Sequence, residues 1–162
     1  MSTNSVVHSG GDPQVGNLST PINGSAFTKA FINALPAYRK DLSPNRRGLE
    51  IGMAHGYFLY GPFALLGPLR DTDLGAQAGL LATIGLVAIL TICLSIYGAV
   101  GVSKPTETLT TPVVPAELAT KAGWSEFASG FLLGASGGAF FAFSLCQTTY
   151  LQPLIEAIKN VW

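Results

Sequence analysis

Apolar and small residues run from Ile51 to Leu69 as IGMAHGYFLYGPFALLGPL, bracketed by Glu50 and Arg70. Two longer runs follow, because no charged residue occurs between Asp73 and Lys104 or between Glu126 and Glu156. Each of those gaps exceeds the roughly 20 apolar residues needed to cross about 30 Å of hydrocarbon. The pattern predicts three transmembrane helices, near residues 44–67, 75–101 and 123–147. Ser43 and Pro44 supply a cap and first-turn pair for the first, and Gly67 and Pro68 end it at the tight turn GPLRDTD.

Outside these spans the pattern changes. Residues 1–24 are rich in Gly, Ser, Asn and Pro without periodicity, and read as an extended arm. In SAFTKAFINAL, Phe27, Phe31, Ala34 and Leu35 share a face that excludes Lys29 and Asn33. That spacing predicts a short amphipathic helix capped by Ser25, lying on a membrane surface or on a partner. The loop between the second and third spans carries Pro105, Pro112 and Pro115 and is expected to be irregular. A short tail helix is expected from near Pro153. The organisation is thus an arm over 1–43, a three-helix membrane domain over 44–147 and a tail over 148–162. The fold class is an all-α integral membrane protein.

Composition reinforces this reading. Charged residues make up 11% of the chain and hydrophobic residues 48%, whereas a soluble domain is about 25% charged. The first residues have neither a basic nor an apolar segment of the kind a cleaved signal needs. Formal net charge is zero and no basic patch suggests nucleic acid. The basic residues are nevertheless unevenly placed. Lys29, Arg39, Lys40, Arg46 and Arg47 precede the first span, Lys104 and Lys121 lie between the second and third, and only Arg70 and Lys159 fall on the other side. The positive-inside rule then puts the N-terminus and the 103–123 loop on the cytoplasm-like face, and the C-terminus opposite. Tyr97, Trp124 and Tyr150 fall near span ends, as an aromatic belt requires.

Candidate chemistry is sparse. No nucleotide-binding, zinc-protease or CxxC motif occurs, and Cys93 and Cys146 read as small hydrophobes within spans. Ionisable groups at membrane depth are costly and usually have a partner, which singles out Glu50 and His55. Five residues separate them by roughly 140° around a helix and about 7.5 Å along it, so they form two sites and not one. Glu50 has Arg46 one turn earlier as a local ion-pair candidate. His55 has no acidic residue at that spacing; its imidazole can bond a carbonyl on another helix or ligate a metal through one nitrogen. Glycines recur every fourth position, at Gly48, Gly52 and Gly56 and at Gly130, Gly134 and Gly138. Such stripes let a neighbouring helix, or a flat ligand, approach closely. A proton relay through Glu50 and His55 in a small transporter is a competing reading. The angular divergence of the two groups opposes it.

The runs LSTPI, INALPAYRKDLSP, RGLEIGMAHGYFLYGPFALLGPLRDTD and GWSEFASGF resemble subunit L, or subunit XI, of the photosystem I reaction centre. The resemblance covers most of the chain and is densest over 18–73. It implies three transmembrane helices that bind chlorophyll a and beta-carotene, with lipids in the grooves, and no catalytic activity. It also implies contacts with the core and small membrane subunits, and a place where reaction-centre monomers meet. Glu50 and His55 match the family's axial ligands to chlorophyll magnesium. Asp71 and the Pro68 carbonyl match a calcium site near the oligomer axis. The absence of a transit segment suits a cyanobacterial thylakoid protein, with its N-terminus stromal and its C-terminus lumenal. The proline-rich 103–123 loop departs from the family pattern and leaves the oligomer as a trimer or a tetramer.

Overall fold

A computed structural model describes residues 7–11, 14 and 16–161. The first six residues of the arm, part of the stretch read for a signal segment, lie outside that range. Two short antiparallel strands, β1 (His8–Ser9) and β2 (Leu18–Ser19), pair at the start of the chain. They are followed by α1 (Ala26–Ala34), α2 (Pro44–Leu66), α3 (Gly75–Ala99), a 3-10 helix (Ala116–Ala119), α4 (Lys121–Cys146) and α5 (Gln152–Lys159). Within the extended arm the two strands form a small ladder. The inter-span loop ends in a helical turn.

Local chemistry explains the helix starts. Ser25, Ser43 and Thr120 each cap a helix, their hydroxyls accepting from the N–H groups of Thr28, Arg46 and Gly123. Pro44 occupies the first turn of α2, where its missing N–H costs nothing. Within α3, Thr83, Thr91 and Ser95 donate their hydroxyls to the carbonyls of Gly79, Val87 and Thr91, four residues back. Every one of these polar side chains is thereby satisfied inside its own apolar helix, as hydrocarbon surroundings demand.

Two helices, α3 and α4, are long and apolar enough to cross a membrane. The 23-residue α2 has the length, but Arg46, Arg47, Glu50 and His55 dilute its apolar character. The outer face of α3 exposes Leu81, Ile89, Ile92 and Ile96, while Val87 is wholly buried. A first core cluster joins Val87 to Phe127, Phe131 and Ala135 of α4. A second joins Tyr60 and Ala64 of α2 to Ala142 of α4.

The two glycine stripes meet each other. A Cβ at Gly48, Gly52 or Gly56 would collide with the carbonyls of Phe127, Phe131 and Ala135 respectively. Reciprocally, a Cβ at Gly130, Gly134 or Gly138 would strike the carbonyls of Asn45, Leu49 and Met53. The register rises together along both helices, so α2 and α4 are a parallel pair in backbone contact. Of the two occupants the spacing allowed, a neighbouring helix or a flat ligand, it is the helix that lies against these glycines. The space at Gly52 and Gly56 is filled by α4.

Overpacking a close-packed interface costs about 1–3 kcal/mol or more, whereas replacing glycine by alanine in an open helix position gains up to about 1 kcal/mol. Gly85 has nothing within 4 Å of its would-be Cβ. In thermal unfolding of the detergent-solubilised protein, Gly52→Val and Gly134→Val are expected to lower the midpoint sharply. Gly85→Ala should hold or raise it.

Candidate functional site

The segment that links α1 to α2 is built to lie against the start of α2. After α1, the Tyr38 and Arg39 N–H groups both donate to the Leu35 carbonyl, closing a turn. Asp41 then adopts a φ of 59°, a left-handed conformation that aspartate tolerates better than most residues. Arg47, 4% exposed, donates from Nη1 to the Pro36 carbonyl at 2.9 Å and so pins the segment from below. Its Nε has no hydrogen-bond partner.

This arrangement delivers Arg39 to Glu50. The Arg39 guanidinium donates from Nη2 to Glu50 Oε1, forming an ion pair between side chains 41% and 31% exposed. Arg46, the partner suggested by helical spacing, is exposed and pairs with no acid among the described residues. Sequence spacing missed Arg39 because the pair bridges 11 positions across a turn and not one helical turn. Exposed pairs of this kind contribute about 0–1 kcal/mol to folding. The second carboxylate oxygen of Glu50 receives no hydrogen bond from any described residue.

His55 stands on a different flank of α2, exposed at the surface. Its ring meets Phe131 edge-on with centroids 5.6 Å apart. Nδ1 lies 2.8 Å from the Ile51 carbonyl oxygen, one turn back on the same helix. A carbonyl can only accept, so in the neutral ring Nδ1 carries the proton and Nε2 keeps the lone pair. The partner is thus a carbonyl of its own helix and not of another, as the sequence reading allowed. The ring is left with a fixed tautomer and one available metal-binding nitrogen.

Between α2 and α4 an open apolar groove of about 570 Å³ is lined by Leu49, Met53, Ala54, Tyr57, Gly137 and Phe141, among others. Ala54 lies one turn beyond Glu50 on the same face of the helix, so Glu50 is on the groove side of α2 although it does not itself line the groove. His55, two residues from Met53, falls on the far side.

At the other end of α2 the turn carries Pro68, Arg70 and Asp71. Asp71 is 69% exposed, and its Oδ2 lies 3.6 Å from Arg70 Nε. No described group donates to the Pro68 carbonyl. Among the described residues no three His, Cys, Asp or Glu side chains converge on a metal position.

The proline-rich loop is irregular but anchored. Asn33 of α1 donates to the Thr110 carbonyl at 2.7 Å, and the Thr110 hydroxyl donates to the Asn23 carbonyl at 3.2 Å. Trp124 donates from its indole to the Leu118 carbonyl and meets Tyr97 edge-on at 4.8 Å. The arm, the loop and the starts of α2 and α4 therefore form one end of the molecule. That end carries seven of the nine basic residues.

Helices with exposed apolar flanks, and ionisable side chains held on separate outward faces, define a helical membrane protein whose surface is made to be covered. Comparison with known proteins makes that class specific. A family model for photosystem I reaction centre subunit XI matches residues 5–151. The chain is 63% identical to the photosystem I reaction center subunit XI of Synechococcus elongatus, over 97% of this chain and 96% of that protein. It is 68% identical to the protein of the same description from Picosynechococcus sp., over 87% and 93%. The counterpart in Crocosphaera subtropica is 61% identical over 91% and 94%. The chain belongs to the photosystem I reaction centre subunit XI family. It is accordingly a photosystem I subunit, associated with other subunits of that complex, and its apolar helices fit the thylakoid membrane.

Because Arg47 ties the 36–43 segment to α2, Arg47→Gln should free that segment. Limited trypsin digestion is expected to cut after Arg39 or Lys40 about tenfold or more faster in the variant, in line with losing a charged hydrogen bond of about 1.5–3 kcal/mol. An unchanged cleavage rate would mean that the anchor lies elsewhere.

Proposed function

We propose that this chain is a non-catalytic pigment-binding subunit that fixes chlorophyll a and beta-carotene in photosystem I and joins reaction-centre monomers into a trimer or tetramer. The observation that carries the pigment reading is the state of His55: exposed at membrane depth, its Nδ1 engaged and its Nε2 free. A single axial nitrogen suits a magnesium ion whose equatorial positions are already taken by a macrocycle. Bound chlorophyll would supply light absorption and energy transfer; the protein supplies position.

Glu50 fits the second axial ligand. Its Oε1 is held by Arg39 and its other oxygen takes no hydrogen bond from a described residue, and Glu50 shares a helix face with Ala54 of the apolar groove. Leu49, Met53, Tyr57 and Phe141 give that groove the lining a chlorophyll tail, a carotenoid or a lipid chain requires. At the turn, the Asp71 carboxylate and the Pro68 carbonyl offer oxygen atoms to calcium, which takes about 6–8 of them. The remaining ligands would come from water or from a neighbouring copy of the chain.

On this reading α2 is the third membrane span. Its 23 residues rise about 34 Å, enough for the hydrocarbon core, and Arg39 offsets the charge of Glu50 near its mouth. The basic end faces the stroma and the 67–74 turn and α5 face the lumen. The transporter reading finds no support, since His55 and Glu50 occupy opposite flanks of α2 and face outward.

His55→Leu is expected to remove one chlorophyll per chain from purified photosystem I, seen as pigment stoichiometry and as lost density at that position, while charge separation persists. Full occupancy with an unmoved pigment would sink the ligand assignment. Complexes lacking the chain should sediment as active monomers. Normal oligomers from such a strain would exclude the joining role.

A further inference from the structure

We infer that Arg39 is the positioning residue for the Glu50 ligand: it occupies Oε1, leaves the second oxygen unengaged and balances the carboxylate's charge. The inference rests on the proposed role of Glu50 as an axial ligand. Arg39 itself would touch no pigment.

Three features point the same way. First, Arg39 belongs to the 35–43 segment and not to α2, so the pair exists only because the chain folds back on the start of the span. Second, that fold-back is over-determined by the Leu35 turn, the left-handed Asp41 and the buried Arg47 bond to Pro36. This much local structure holds one exposed guanidinium beside one carboxylate, although a nearer cation, Arg46, sits one turn from Glu50. Third, the pair engages only one of the two carboxylate oxygens. Axial ligation needs a single oxygen with a fixed direction. A carboxylate without Arg39 would retain its rotamer freedom and an unbalanced charge beside hydrocarbon. His55 reaches the same end by another route, its ring held by the Ile51 carbonyl.

The test uses photosystem I purified whole from strains carrying Arg39→Gln, Arg39→Lys or Glu50→Ala. Pigment occupancy at the Glu50 and His55 positions is read in density maps, and pigment energies in low-temperature absorption difference spectra. Arg39→Gln should weaken retention of the Glu50 pigment about tenfold, as loss of a group that orients a metal ligand typically does, and shift its absorption band. The His55 pigment should stay at full occupancy as an internal control, and Arg39→Lys should restore most of the Glu50 pigment. Arg39→Gln complexes that keep that pigment in place with an unmoved band, while Glu50→Ala complexes lose it, would overturn the positioning role and leave the ligand role standing. Retention of the pigment in Glu50→Ala would instead remove the ligand role itself. Loss of both pigments in Arg39→Gln would mark a general folding defect and likewise overturn the inference.

Discussion

Backbone contact between α2 and α4 is the constraint from which the remaining geometry follows. In hydrocarbon, helices gain nothing from hiding apolar side chains, because lipid tails are equally apolar; close packing of small residues is what holds them together. Here six glycines interlock in register, each set resting on the carbonyls of the other helix. Bulk has been removed from the seam and displaced to its edges. Phe127 and Phe131 pack to one side with Val87 of α3, while Tyr57 and Phe141 flank the open groove on another. The chain therefore has a thin, tight centre and a rough exterior.

That division decides where ligands can go. Three helices enclose no chamber, and the seam between the two closest ones admits nothing, so any large cofactor must sit on the outside. Glu50 and His55 conform to this. Each emerges on its own flank of α2, and each is braced by one specific contact, Arg39 for the carboxylate and the Ile51 carbonyl for the imidazole. The other face of a pigment held so would be completed by something beyond this chain. A subunit with a single-layer interior and an apolar outer face on α3 is suited to that arrangement, and poorly suited to working alone.

Periodicity and residue type made the helices legible. Long uncharged gaps announced α3 and α4, and Ser43-Pro44 announced the start of α2. The glycine stripes were visible too, but their partner was not: spacing says that something approaches closely, and only the fold shows each stripe meeting the other. Contacts that cross a turn were hidden for a similar reason. Arg46 is the nearest cation to Glu50 along a helix, yet Arg39 wins because Leu35, Asp41 and Arg47 reverse the chain above it. Arg47 looked like one more topology charge, and it is a buried anchor. The runs LPAYR and RGLEIGMAHGYF carried the family resemblance where pattern rules alone stopped short.

The basic end of the molecule shows why those hidden contacts matter beyond local stability. Seven cations gather where the arm, the loop and two helix starts converge, and a cluster used only for membrane orientation would leave them all solvated. Three of them are instead engaged: Lys104 pairs with Glu107 within the loop, Arg47 is spent on a backbone carbonyl and Arg39 on a carboxylate at the mouth of α2. The same fold-back thus fixes the arm and holds a cation against the Glu50 carboxylate near the start of α2. Membrane topology tolerates many placements of a lysine or arginine along a loop, whereas the direction of a ligating oxygen tolerates few. With Glu50 in its proposed role as a ligand, the specific geometry of Arg39 is better explained by what it does to Glu50 than by which side of the membrane it marks.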